Sequence, residues 1–393
     1  MIDKRLIPLA AGGLGIGTTE FTIMGLLPDI AGELNATIPQ AGHFISAYAL
    51  GVVVGAPILI GASVRFPPKK TLIWLMILFC VFNGLCALAN NYHLMLVGRF
   101  LSGLPHGAFF GVGTVVASKI GGEGKQARSI AMMFSGLTVA NLAMVPLVTY
   151  IGHHFNWRWY FIIVSFIGLL TLLALHYWLP VLNGRNDTNL KTELGFIRRG
   201  QSWFVLAITA IGFGGLFTWL SYISPLMTEV SRFSAGSIAY IMILAGAGMV
   251  VGNVAGGYLT DRLGTDKTTT TLLTAMMLTL LAVFLFSEYK VVSLVLTFAC
   301  GALSMSVSAP INIMMMKSAP GSEMMAAAFM QAAFNVANSA GAFLGGIPLL
   351  YNLDYNYPSL VGAGMTLIGL LICLGYTRLY GKASGALPTP PAS

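Results

Sequence analysis

Runs of about twenty apolar residues, separated by short polar breaks, recur along the whole of this 393-residue chain. One set covers residues 6–28, 41–63, 71–89, 94–119, 129–151 and 159–180, and a second covers 203–226, 235–259, 268–287, 291–316, 323–350 and 358–379. A helix needs roughly 20 apolar residues to cross about 30 Å of hydrocarbon, whereas strands of an outer-membrane barrel alternate over about ten. The pattern therefore predicts an all-α polytopic membrane protein of twelve transmembrane helices. The longest polar break before the tail, "VLNGRNDTNLKTELGFIRRGQSW", divides them six and six. The expected organisation is an N-terminal half over 1–180, a cytoplasmic linker over 181–202, a C-terminal half over 203–380 and a disordered tail over 381–393. The basic start "MIDKRL" has the flank of a signal peptide, but the apolar run behind it is too long and continues past Glu20, so it reads as a first span.

Composition supports the same class, with 56% hydrophobic and 9% charged residues against roughly 25% charged in soluble domains. Mean hydropathy is +0.80. Cys80, Cys86, Cys300 and Cys373 all lie in apolar runs without metal-ligand spacing and read as small apolar packers.

Charge adds orientation. Of the 21 Lys and Arg, seventeen fall on the side of the N-terminus, three (Arg158, Arg232 and Lys290) fall opposite, and Arg99 lies inside a span. The positive-inside rule then places both termini and the central loop in the cytoplasm. The net charge of +8 is thereby an orientation signal, and no nucleic-acid partner is expected.

The two sets repeat each other. "GIGTTEFTIMGLLP" ends at Pro28 and "GFGGLFTWLSYISP" at Pro225, with Gly15 matching Gly212 and Gly17 matching Gly214. A similar offset brings Gly103 to Gly301 and Lys119 to Lys317. Parallel repeats of this kind surround a central path in secondary transporters. Glu20 corresponds to Phe217 and Arg99 to Thr297, which confines the intramembrane charges to the first half.

"GGYLTDRLGTDK", residues 256–267, resembles the signature of the major facilitator superfamily between its eighth and ninth helices, with Gly257, Asp261, Arg262 and Gly264 in place. The equivalent loop "GASVRFPPKK" keeps Gly61, Lys69 and Lys70 but has Arg65 where the pattern has Asp and Pro68 where it has Gly. "TTEFTIMGLLPDIA", "SAYALGVVVGAP", "VGRFLSGLPHGAFFGVG", "GLTVANLAMVPL", "NWRWYF" and "QAAFNVANSAGAFLGG" extend the resemblance over nearly the whole chain. Together they are similar to the twelve-span drug:proton antiporter branch, and within it to the AraJ-like sugar-efflux group. In the fifth-helix antiporter pattern, Met144 and Val148 stand around Pro146 where glycines are usual. The resemblance implies an inner-membrane secondary transporter that exports a small molecule in exchange for protons. A sugar importer, a proton-independent facilitator and, less well supported, a non-transporting receptor or scaffold are the alternatives.

Ionisable groups at membrane depth are functional candidates. Glu20 is the leading one, as a carboxylate that takes and releases a proton. Its alternative is a pairing with Arg99, and Gly13 and Gly17 on the same stripe suit a helix contact. Arg99 either serves the cavity or snorkels. His106, about two turns along the same face, is a further proton candidate, with His43 and His176 as more remote titratable groups, while His153 and His154 read as loop residues. Gln331, Asn335 and Asn338 share one face of the eleventh span and offer amide donors and acceptors to a ligand or to neighbouring helices. Asn141, Trp219 and Tyr222 are candidates to complete the pocket. Gly51 and Gly55, Gly107 and Gly111, Gly248 and Gly252, and Gly341 and Gly345 have the four-residue spacing of close helix contacts. No P-loop, H-E-x-x-H or serine elbow is present, so neither enzyme activity nor a cofactor or metal is expected. The expected partners are a small-molecule substrate, protons and the lipid bilayer, with the chain working as a monomer.

Overall fold

The computed structural model describes residues 3–63, 66–121, 126–181, 194–320 and 322–381. Among them, eleven helices are long and apolar enough to cross a membrane. These are α2 (Ile38–Ser63), α3 (Pro68–Ala87), α4 (Tyr92–Gly121), α5 (spanning Ser129–His154), α6 (Arg158–Trp178), α7 (Gly200–Ser221), α8 (Ile238–Leu263), α9 (Thr265–Phe286), α10 (Lys290–Ser318), α11 (Glu323–Leu350) and α12 (Tyr357–Tyr380). The first span, α1 (Ile7–Gly25), carries five glycines, three threonines and Glu20, and its second half is buried throughout. Its neighbours there are other helices, so it has little lipid to face and little need of a fully apolar sequence.

Two helices are not regular throughout. α5 runs as Gln126–Val139, widens into a π turn over Ala140–Met144 and resumes as Val145–His154. Pro146 lacks the N–H that would close the regular turn behind it, and a wider turn accommodates the defect. α7 follows the same scheme, Gly200–Ala207, a π turn over Ile208–Phe213, then Gly214–Ser221. Most helices begin a few residues before their apolar runs, because polar or basic residues such as Lys69, Lys70 and Gln201 join the first turn. His153 and His154, expected in a loop, form the last turn of α5, and His153 Nδ1 lies 2.9 Å from Asp29 Oδ1 in the short helix Leu27–Glu33.

The repeat is visible in the packing. In the first half, a Cβ at Gly51 would stand 2.1 Å from the carbonyl of Phe100, one at Gly55 2.2 Å from that of Leu104, and one at Gly103 2.1 Å from that of Tyr48. In the second, Gly248, Gly252 and Gly301 meet the carbonyls of Phe298, Ala302 and Ala245 at 2.3, 1.8 and 2.2 Å. Backbone therefore rests on backbone in α2–α4 and again in α8–α10, where no side chain can yield. We expect Gly55→Val and Gly252→Val each to destabilise the protein by at least about 1–3 kcal/mol, the usual cost of overpacking. A thermal melt in detergent checks this, with Gly61→Val as control, since a Cβ there meets nothing within 4 Å. Gly13 and Gly17 of α1 similarly lie against Met133 and Ala140 of α5, which makes their stripe a helix contact.

Of the connection between the sets, residues 182–193 lie outside the described residues, as do Arg65 and residues 382–393. The rest of the connection forms a short 3-10 helix, Leu194–Arg198, whose Phe196 is buried with its ring 5.2 Å from that of Phe329 on α11. Arg199 Nη1 donates to the Ser318 carbonyl at the end of α10 (3.3 Å). The four cysteines are free thiols. On the face opposite the chain ends, here the far face, Arg158 pairs with Glu33 and Trp157 Nε1 donates to it at 2.7 Å. The hydrogen bond from Arg158 holds the Glu33 carboxyl below its ordinary range.

Candidate functional site

The seam between the halves positions the site. α2 descends from the far face while α11 climbs towards it, so the two pack antiparallel and bring matched residues together. Ser46 Oγ donates to the Ser339 carbonyl (3.0 Å) and Ser339 Oγ returns a bond to the Ser46 carbonyl (3.2 Å). One turn nearer the far face, His43 stacks on Phe343 with ring centroids 5.8 Å apart. Beside them the Tyr222 hydroxyl donates to the Ala342 carbonyl at 2.7 Å and fills the space left by Gly42 and Gly346. Gly42 is required here, because a Cβ on it would stand 2.2 Å from the Tyr222 oxygen. These contacts occupy the far-face half of α2 and α11.

At the inner edge of this closure lies Glu20. It is 7% exposed, and its Oε1 accepts a hydrogen bond from Asn338 Nδ2 at 3.3 Å. The bond joins α1 of the first half to α11 of the second. Asn338 Oδ1 is buried without a partner. The amide can therefore serve either form of the acid: its N–H₂ meets the carboxylate, and its free oxygen can accept from a protonated carboxyl.

Arg99 lies nearby but does not pair with Glu20; the two are not among the ion pairs of the described residues. Its guanidinium is fully buried and bound by neutral groups. Nη1 donates to the Thr19 carbonyl (3.1 Å) and hydroxyl (3.3 Å) and to the Tyr160 hydroxyl (3.3 Å), and Nε donates to the Phe44 carbonyl (3.3 Å). The Tyr48 ring lies 4.3 Å from the guanidinium carbon, close enough for cation–π attraction. Nη2 is buried without a partner. Arg99 thus ties α1, α2, α4 and α6 together, and the snorkelling alternative does not apply to a side chain closed off from water and lipid.

His106 joins the same network, its Nδ1 3.1 Å from the Tyr48 hydroxyl and its ring edge-on to Phe110. Thr19 Oγ1 donates in turn to Asn83 Oδ1 (2.6 Å). Tyr48, Thr19, Tyr160 and Asn83 went unnoticed in the sequence because none carries a charge, although Tyr48, Thr19 and Tyr160 stand inside the segments "SAYALG", "TTEF" and "NWRWYF" that carry the resemblance.

The remaining candidates are distributed more widely. Asn335 is buried with Oδ1 unpartnered, and its Nδ2 donates back to the Gln331 carbonyl at 2.9 Å; Gln331 itself is half-buried. Asn141 sits in the π turn of α5, where its backbone carbonyl lies 2.6 Å from where a Cβ of Gly246 would be. The small residue that lets α5 approach α8 is thus supplied by α8. Trp219 is fully buried with its indole N–H unpartnered, and Tyr222 belongs to the far-face closure. His43 Nδ1 is 2.7 Å from the Tyr92 hydroxyl, and the His176 carbonyl accepts from Lys69 Nζ at 2.7 Å.

The signature residues occupy the opposite face. Lys69 also donates to the Leu179 carbonyl (2.6 Å), capping the end of α6. Lys70 in the first turn of α3, Gly61 in the last turn of α2, and Gly257, Asp261 and Arg262 in the last two turns of α8 are exposed or partly exposed, with Arg262 4.6 Å from the Tyr258 ring. Gly264, at φ 79°, makes the turn from α8 to α9 in a conformation that favours glycine.

Comparison with known proteins agrees with this fold. The family model described as Major Facilitator Superfamily matches residues 9–346. The chain is 38% identical to AraJ of Escherichia coli strain K12, over 99% of this chain and 98% of that protein. It is 35% identical to the inner membrane transport protein YdhP of Escherichia coli O157:H7, over 94% and 95%. A chloramphenicol resistance protein of Streptomyces lividans is 26% identical over 96% and 97%. In fold, the chain is similar to a bacterial homolog of the human lysosomal transporter Spinster in an inward-facing and unoccupied conformation, with a TM-score of 0.76, 13% identity and coverage of 99% and 98%.

Proposed function

The chain belongs to the major facilitator superfamily and is a multi-pass membrane transporter, and from that premise we propose that it exports a small molecule by proton antiport across a bacterial inner membrane. The termini lie in the cytoplasm in this reading, which the Lys and Arg distribution supports, and the far face is the outer one. The halves, residues 1–180 and 203–380, rock about the centre, and the chain works as a monomer.

The observation that carries the proposal is the hydrogen bond between Glu20 and Asn338, which crosses from one half to the other at the inner edge of the outer closure. A carboxylate sealed there has given up its water for one amide N–H, which is a poor exchange. A proton removes that cost and adds a donor for the free oxygen of Asn338. Protonation of Glu20 from outside accordingly favours the outer-closed, inward-facing arrangement, and its loss to the cytoplasm favours reopening. Export follows if substrate binding from the inside promotes that release. Arg99 and His106 set the local field through Tyr48, while Gln331, Asn335, Asn338, Asn141, Trp219 and Tyr222 contribute polar and aromatic groups to the path or its closure. Gly61, Lys69, Lys70, Gly257, Asp261, Arg262 and Gly264 steer the inner face as it opens and shuts.

The substrate in this reading is sugar-like or drug-like; the polar amides support the first, and the relative named for chloramphenicol resistance supports the second. A proton-independent facilitator or a sugar importer is the second reading, favoured by Met144 and Val148 at the fifth-helix proline. Proteoliposomes with an internal pH dye distinguish them when challenged with sugars, nucleosides, phenicols and lipophilic cations. Antiport gives proton movement evoked by substrate and substrate movement driven by an imposed pH gradient. Substrate flux indifferent to that gradient would overturn the proposal.

A further inference from the structure

α5 of the first half and α8 of the second are in contact at Asn141 and Gly246, and just outside that contact the seam widens into a groove of about 350 Å³. One wall is formed by Leu142, Ala143, Pro146, Leu147 and Tyr150, the other by Ala239, Tyr240 and Ile243. Apart from two tyrosine hydroxyls, every side chain in it is apolar. Tyr150 lies one turn from the far end of α5 and Tyr240 two residues into α8, 41% and 66% exposed. That is the depth at which tyrosines mark the membrane interface. From Tyr150 to Leu142 the groove descends about 12 Å along α5, at 1.5 Å per residue. It thus begins at headgroup level, runs inward through hydrocarbon depth and opens onto the apolar outer belt that includes Val139 and Val251.

We propose that this groove seats an acyl chain of a bilayer phospholipid, and that the chain braces the far-face-closed arrangement by packing against both halves at once. The occupant follows from the lining and from the direction of the groove, since a phospholipid is the molecule whose headgroup stands at the tyrosines while its hydrocarbon extends inward. The brace follows from the walls. Opening the far face separates α5 from α8 at Gly246, and a chain in contact with both walls loses one of them.

Native mass spectrometry of protein purified in mild detergent from a phospholipid bilayer tests the site. Wild type is expected to retain one phospholipid, and Ala143→Trp, which projects an indole into the groove, to lower that occupancy about tenfold, the equivalent of about 1.4 kcal/mol. Leu147→Trp fills the same wall and replaces Ala143→Trp should that variant fail to fold. Leu371→Trp, on the lipid-facing side of α12 and outside the groove, is expected to retain the phospholipid. Equal retention in the groove-filled and control variants, or a retained mass that is not a phospholipid, would overturn the site. For the brace, Ser46→Cys with Ser339→Cys provides a disulfide that forms when the far face is shut. Adding phosphatidylglycerol to delipidated protein is expected to raise its yield in that background and to leave it unchanged when Ala143→Trp is also present, whereas equal responses would overturn the brace.

Discussion

Glu20→Gln is expected to abolish substrate-evoked proton movement in proteoliposomes, a fall of about two orders of magnitude or more, the scale on which a positioned proton-transfer group acts. Gln has the shape of the protonated acid and both hydrogen-bonding senses that Asn338 can meet, so the hydrogen bond across the halves persists with no proton to exchange. The variant should therefore fold normally and favour the outer-closed form. Its expected signature is loss of coupling together with a raised yield of the Ser46→Cys and Ser339→Cys disulfide. Asn338→Ala removes the partner from the other half and should lower that yield instead. Proton-coupled flux undiminished in Glu20→Gln would remove Glu20 from the mechanism.

Arg99→Met should strongly destabilise the first half. Methionine keeps much of the length but withdraws the donors from the Thr19 and Phe44 carbonyls and the cation from the Tyr48 ring. Hydrogen bonds from a charged donor contribute about 1.5–3 kcal/mol each, so a loss of about 2–5 kcal/mol is expected, read as a fall of several degrees in the detergent melt. Arg99→Lys should recover little of it. One guanidinium reaches α1 and α6 through Nη1 and α2 through Nε at the same time, and an ammonium on a single stem cannot reproduce that fork. A melting temperature equal to that of wild type in Arg99→Met would show that the tether contributes nothing to the fold.

The comparison of Glu20 with Arg99 explains how much of the site was legible. Both stood out in the sequence for one reason: a charge in an apolar run is expensive wherever the helix ends up. Their relation was not legible. Equal depth and opposite sign suggest an ion pair, yet Arg99 is bound by neutral oxygens from three other helices, and Glu20 is bonded to an amide 318 positions away. Tyr48 and Thr19, which complete the network, are ordinary in composition and acquire a role only through what the fold places beside them. Tyr222 illustrates the converse. Its aromatic ring in a span suited a pocket wall, but the absence of side chains at Gly42 and Gly346 makes it part of the far-face closure.

The sequence by itself determined the class of the molecule, its helices to within a few residues, the two-fold repeat and the two buried charges. Each of these follows from quantities summed along the chain: the apolar length needed to cross a bilayer, the offset between matching glycines, the cost of a charge in hydrocarbon. Only the tertiary structure decided which face is closed, that Glu20 meets Asn338 across the two halves, that Arg99 is a tether among neutral groups, and that α5 and α8 leave a groove between them. Those are contacts between residues far apart in the chain, fixed by the backbone distances that glycines permit and by the register of one helix against another, and no local pattern encodes either.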